Sequence, residues 1–168
     1  MKALLNAAIE LCLLRRKPQD LPASVDLLAF TVALNLLVSV LIYLGLQKNF
    51  GIAAAASLFE TGLMMAALYG VLRLKKHLMR FTQTMTALML SNILLGVLML
   101  PLLGWTRDTL SDESQLLLLL LSLWVLAVFG HILRHALEVP LGMGIGLAVF
   151  YTLFSWSLLE VFFPSMVV

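Results

Sequence analysis

The sequence predicts an all-α polytopic membrane protein: a transmembrane helix bundle of about five helices, preceded by an N-terminal interfacial amphipathic helix. Of 168 residues, 62% are hydrophobic and only 12% charged, against roughly 45–50% and 25% in a soluble domain. The apolar residues fall into five runs, each near the ~20 residues a helix needs to cross a ~30 Å hydrocarbon layer. The charged residues collect between those runs, where turns would return the chain to water.

Residues 1–24 form the first unit. Lys2, Asn6 and Glu10 recur every fourth residue among leucines and alanines, so one helical stripe is polar and the rest apolar, as in a helix lying in the membrane interface. A secretory leader would carry its positive charges before the apolar stretch, whereas Arg15, Arg16 and Lys17 follow it. Pro18 and Pro22 end the helix, and Ser24 or Asp26 caps the next one.

Residues 25–168 hold the spans. The first covers 27–46, and the second, 52–74, follows a tight turn of Gln47 to Gly51. The second contains a carboxylate, Glu60, and exits into Lys75, Lys76, His77 and Arg80. The third, 81–103, opens on a polar turn of Thr82, Gln83, Thr84 and Thr86 and has Pro101 near its far end. An acidic loop with Asp108, Asp112 and Glu113 precedes the fourth span, 116–136, which opens with six leucines and closes on His131, Arg134 and His135. Pro140 separates it from the fifth, 141–163.

Lys and Arg are retained on the cytoplasmic side of a membrane. With the amino terminus inside, the inner segments hold Lys2, Arg15, Arg16, Lys17, Arg73, Lys75, Lys76, Arg80 and Arg134, nine of the eleven basic residues. The expected placement is a bacterial inner membrane, N terminus cytoplasmic and C terminus outside. The clusters Arg15, Arg16, Lys17 and Lys75, Lys76, Arg80 are candidate contacts for lipid headgroups or an acidic partner.

An ionisable residue inside a span points to function. Eight residues from Ile52 at about 1.5 Å each put Glu60 roughly 12 Å below the outer face, close to the level of Asn35, Asn92 and Tyr151. These four make a candidate midplane polar layer, serving either as an ion or proton relay or as a structural lock in which a protonated Glu60 bonds Asn92 or Asn35. Gly62, Ala66 and Gly70, with Gly142 and Gly146, have the small-xxx-small spacing of closely approaching helices, within one chain or between copies.

Other chemistry lacks its parts. His131 and His135 are spaced i, i+4, but two ligands do not hold a metal, and no metal site is expected. Gly142, Gly144 and Gly146 follow no strand and lack nucleotide-loop spacing. No Ser has His and Asp partners at its level, so no enzyme and no cofactor is expected. A net charge of +2 implies no nucleic-acid partner.

Five spans with an inside amino terminus, Phe81-Thr-Gln-Thr-Met entering the third span, and Trp124 ahead of the His131 to His135 exit together resemble the Yip family. These are five-span membrane proteins named for interaction with Rab-type GTPases, with many bacterial members. The resemblance implies the five-span topology and transfers no catalytic residue. The trafficking role belongs to eukaryotic members, whose long hydrophilic amino-terminal domain has no counterpart in residues 1–24.

Two functions follow as expectations. One is a non-enzymatic membrane scaffold or accessory subunit that binds lipid, a membrane-protein partner or a second copy of itself. The other is a small transporter or channel built around Glu60. A dry, packed Glu60 would favour the first, and a water-accessible cavity the second.

Overall fold

A computed structural model describes residues 2–47, 49–108 and 112–164. Helix α1 (Lys2–Cys12) and a short 3-10 turn (Pro18–Asp20) lead into α2 (Val25–Gln47), α3 (Phe50–Leu74), α4 (Phe81–Asp108), α5 (Asp112–Leu137) and α6 (Leu141–Phe162). There is no strand among the described residues. Each helix from α2 to α6 contains a stretch of 21 to 25 residues long and apolar enough to cross a membrane, so this is an integral membrane protein of the expected fold class.

The helix ends follow local chemistry. Ser24 Oγ accepts from Leu27 N at 3.2 Å and caps α2. Asn49 caps α3, its Oδ1 accepting from Gly51 N at 3.0 Å and Ile52 N at 3.3 Å. The helix therefore begins inside the stretch expected to be a turn. In the same way α4 runs through Pro101 to Asp108 and α5 starts at Asp112, leaving 109–111, the middle of the expected acidic loop, outside the described residues.

α2, α4 and α6 begin, and α3 and α5 end, at one end of the bundle, called here the basic end because Arg73, Lys75, Lys76, Arg80 and Arg134 lie there. α4 occupies the centre, with α2 on one side and α5 on the other, while α3 pairs with α2 and α6 with α5. Thr84 to Ser91 are consecutively buried, because α1 and the Pro18–Asp20 turn cover the one side of α4 that its neighbours leave open.

α1 is amphipathic, and its apolar face packs on the bundle. Ala7, Ala8, Leu11 and Cys12 are buried and dock on α4 and α5, while Asn6 and Glu10 face outward with Leu5, Ile9 and Leu13. Small residues form the docked face because they let two helix backbones approach closely. Glu10 Oε2 lies 3.2 Å from Arg16 Nη1, and the helix closes on Leu14, which takes a left-handed φ of 60° as Arg15 N donates to Glu10 O.

The glycines are sorted differently than their spacing implied. A Cβ on Gly62, Gly70, Gly142 or Gly146 would meet nothing within 4 Å, so the expected helix contact does not form at these positions within the chain. The close approach is instead between α5 and α6: a Cβ on Gly144 would strike the Gly130 carbonyl oxygen, and one on Gly130 would lie 2.8 Å from Ile145 Cα. Gly96 of α4 admits Val38 and Ile42 of α2.

Candidate functional site: a polar cavity at mid-bilayer

The four expected midplane residues come to neighbouring levels but do not form one layer. Asn35 of α2 and Asn92 of α4 stand ten and eleven residues from the basic-end starts of their helices, roughly 15–17 Å along each axis. The two helices run in parallel, so side chains leaning toward their own N-termini stay level. Asn92 Nδ2 donates to Asn35 Oδ1 at 2.8 Å.

Glu60 bonds neither asparagine, contrary to the expectation. Its partner is Tyr43, whose hydroxyl donates to Glu60 Oε2 at 2.8 Å. Tyr43 stands eighteen residues into α2 and Glu60 fourteen residues before the end of α3, so their Cα atoms differ in height by roughly 6 Å. α2 and α3 are antiparallel, and side chains that lean toward their own N-termini therefore converge. Counting levels by Cα position alone misses Tyr43; the signal that would have found it is this lean combined with the reach of a tyrosine.

Tyr43, Glu60, Asn92, Phe129 and Tyr151 come from α2, α3, α4, α5 and α6 respectively, and all line one cavity of about 480 Å³. Every span thus contributes to its wall. Thr152, Ser155 and Trp156 of α6 complete the polar side. Ser155 is only 4% exposed; its Oγ and the Tyr151 hydroxyl are neighbours, and neither makes a well-formed hydrogen bond among the described residues. Buried hydroxyls are normally satisfied, so these two mark a place that accepts a polar guest. Among the described residues, no Lys, Arg or His lines the cavity.

Away from the basic end, Phe59 of α3 packs on Phe162 and Phe163, with ring centroids 5.3 and 5.9 Å apart. Toward the basic end lies an apolar cavity of about 230 Å³ that shares Met64, Phe129 and Tyr151 with the polar one.

The expected charge clusters do meet at one end of the bundle. Arg80 Nη2 lies 2.6 Å from Glu138 Oε1, and His77 Nε2 lies 3.8 Å from Glu138 Oε2. The Arg80 guanidinium holds the Glu138 carboxyl below its usual range. Arg16 is tied to Glu10, while Arg15, Lys17, Lys75 and Lys76 are exposed.

His131 and His135 face each other at 4.6 Å and help hold the N-terminal segment. His131 Nε2 sits 3.2 Å from Arg16 O, and Gln19 Nε2 donates to His135 O at 2.6 Å. Gln83 Nε2 donates to Gln19 O and Leu21 O at 3.1 and 2.7 Å, and Trp124 Nε1 donates to Cys12 O at 3.1 Å. No group of three metal-ligating side chains gathers among the described residues.

Comparison of the chain with family models, with curated proteins and with solved structures gave no match.

Proposed function

We propose that the protein is a small, non-enzymatic transporter or channel whose solute occupies the cavity around Glu60. The observation that carries this reading is the cavity itself: about 480 Å³ at mid-bilayer, walled by all five spans, with a carboxylate on its surface and two hydroxyls that make no well-formed hydrogen bond among the described residues. A scaffold would gain nothing from leaving such groups beside a void, since an unsatisfied buried polar group costs about 1–3 kcal/mol. Ionisable groups inside a membrane bundle mark solute pathways.

In this reading the basic end faces the cytoplasm of a bacterial inner membrane, following the retention of Lys and Arg, and the exposed Arg15, Lys17, Lys75 and Lys76 meet anionic headgroups. Kinship with the Yip family fits the five-span architecture and adds no residue role. The outward-facing Gly62, Ala66, Gly70, Gly142 and Gly146 are the surfaces on which a second copy or a membrane-protein partner would pack.

A test independent of solute identity is aqueous access. In a Cys12→Ala background, Ser155→Cys is treated in oriented vesicles with a charged, membrane-impermeant thiol reagent. Labelling within minutes from at least one face is expected. A thiol that stays unmodified while a mercurial small enough to dissolve in lipid reacts with it would return the protein to the scaffold class.

A further inference from the structure

Resting on that reading, we propose that the solute is an amphipathic organic cation, an ammonium head on a hydrocarbon tail, with the head at Glu60 and the tail in the adjoining apolar cavity. The charge inventory sets the sign. Among the described residues, Glu60 is the one carboxyl on the cavity wall, and no basic side chain lines it. A buried carboxylate demands a partner of opposite charge or a proton. An ammonium supplies the charge, and an anion would meet only repulsion.

The walls set the kind of cation. Tyr43, Phe129, Tyr151 and Trp156 line the same cavity as the carboxylate, and aromatic faces attract organic ammonium groups that shed part of their hydration. A small metal cation would need several oxygen ligands converging at about 2–2.6 Å; the carboxylate here is single, and one of its oxygens already accepts from Tyr43. The neighbouring Tyr151 hydroxyl and Ser155 Oγ, which make no well-formed hydrogen bond among the described residues, have lone pairs to accept N–H donors from the head.

The neighbouring cavity sets the tail. Its walls are apolar residues such as Ala67, Leu88, Leu133 and Leu147, and it lies next to the polar cavity, with Met64, Phe129 and Tyr151 lining both. At about 30 Å³ per water-sized group, its volume of about 230 Å³ holds a chain of roughly eight such groups. Head and tail sites together fall within the usual size of a small-molecule pocket, about 300–1,000 Å³.

The test is scintillation-proximity binding of radiolabelled n-octylammonium to the purified protein in lipid nanodiscs, with unlabelled n-octylammonium, n-octanol and n-octanoate as competitors. The expected result is saturable binding displaced by the ammonium alone. Glu60→Gln should weaken it at least about tenfold, Trp156→Leu severalfold, and Ala67→Phe should weaken it by filling the tail site. Folding of each variant is checked by its elution and melting, and Trp156→Leu stands in if Glu60→Gln does not assemble.

Equal displacement by octanol or octanoate would overturn the assignment, as would undiminished binding to Glu60→Gln. If no saturable binding occurs while Ser155→Cys is still labelled from water, the solute class is wrong and the transporter or channel reading stands. If Ser155→Cys is also inaccessible, both fail.

Discussion

The two halves of this bundle are held together by different means. At the basic end, α5 and α6 touch backbone to backbone at Gly130 and Gly144. Gln83 binds the N-terminal segment there, and Arg80 joins the α3–α4 connection to Glu138 after α5. From mid-bilayer outward the same helices border a cavity, and α3 reaches α6 through the rings of Phe59, Phe162 and Phe163. One end is built to hold its shape, and the other leaves room. Water does not drive one apolar helix against another inside lipid, so close contact is found where small residues or hydrogen bonds provide it.

The sharpest way to break this contrast is to overpack the closed end. Gly130→Val should cost about 3 kcal/mol or more, because the added atoms meet the Ile145 backbone. Gly146→Val, two residues beyond Gly144 on α6 and facing open space, should leave stability unchanged. Melting of the two variants in one detergent checks both, and equal destabilisation would mean that the Gly130–Gly144 crossing is not the tight contact.

Releasing the N-terminal segment should have a smaller effect. Gln83→Ala removes two hydrogen bonds to backbone carbonyls, about 1 kcal/mol each. Burial raises the Cys12 thiol above its ordinary value, so the native protein should react slowly with maleimide and Gln83→Ala severalfold faster. An unchanged rate would show that packing of Ala7, Ala8 and Leu11 alone retains α1.

The cavity half responds in the opposite sense. Glu60→Gln keeps an acceptor for the Tyr43 hydroxyl and should shift the melting temperature by only a degree or two, since such bonds are worth about 0.6 kcal/mol inside bilayers. Any transport activity should nevertheless be abolished. Loss of folding would identify Glu60 as a structural group instead.

The smallest expected effect is a pH dependence confined to the basic end. The folded-state pKa of Glu138 is depressed, so its ion pair contributes stability above the ordinary carboxylate value of about 4.3. That contribution is lost as pH falls through the lower folded value. Arg80→Ala should flatten this part of the stability curve on acidification and leave the rest alone.

The candidate site was legible in part. Glu60, Asn35, Asn92 and Tyr151 were readable as polar residues at similar depth, and each lies where counting along a helix puts it. Their pairing was not readable, because it depends on which helices are parallel neighbours. α2 and α4 bring Asn35 and Asn92 level, while antiparallel α2 and α3 lean Tyr43 onto Glu60. Ser155 and Trp156 carried no signal, because a serine or tryptophan near mid-span is ordinary until a cavity opens beside it.

By itself the sequence determined that this is an integral membrane protein with five segments long and apolar enough to cross a bilayer among the described residues, and that most of its basic residues gather at one end. Those properties depend on single segments, since each apolar run must satisfy its own backbone as a helix in lipid. Tertiary structure alone decided that α1 docks on α4, that Gly130 and Gly144 rather than Gly62 or Gly142 make the close contact, and that a polar cavity remains at Glu60. An apolar helix face looks the same to the sequence whether lipid or another helix covers it. Only the packed bundle distinguishes the two.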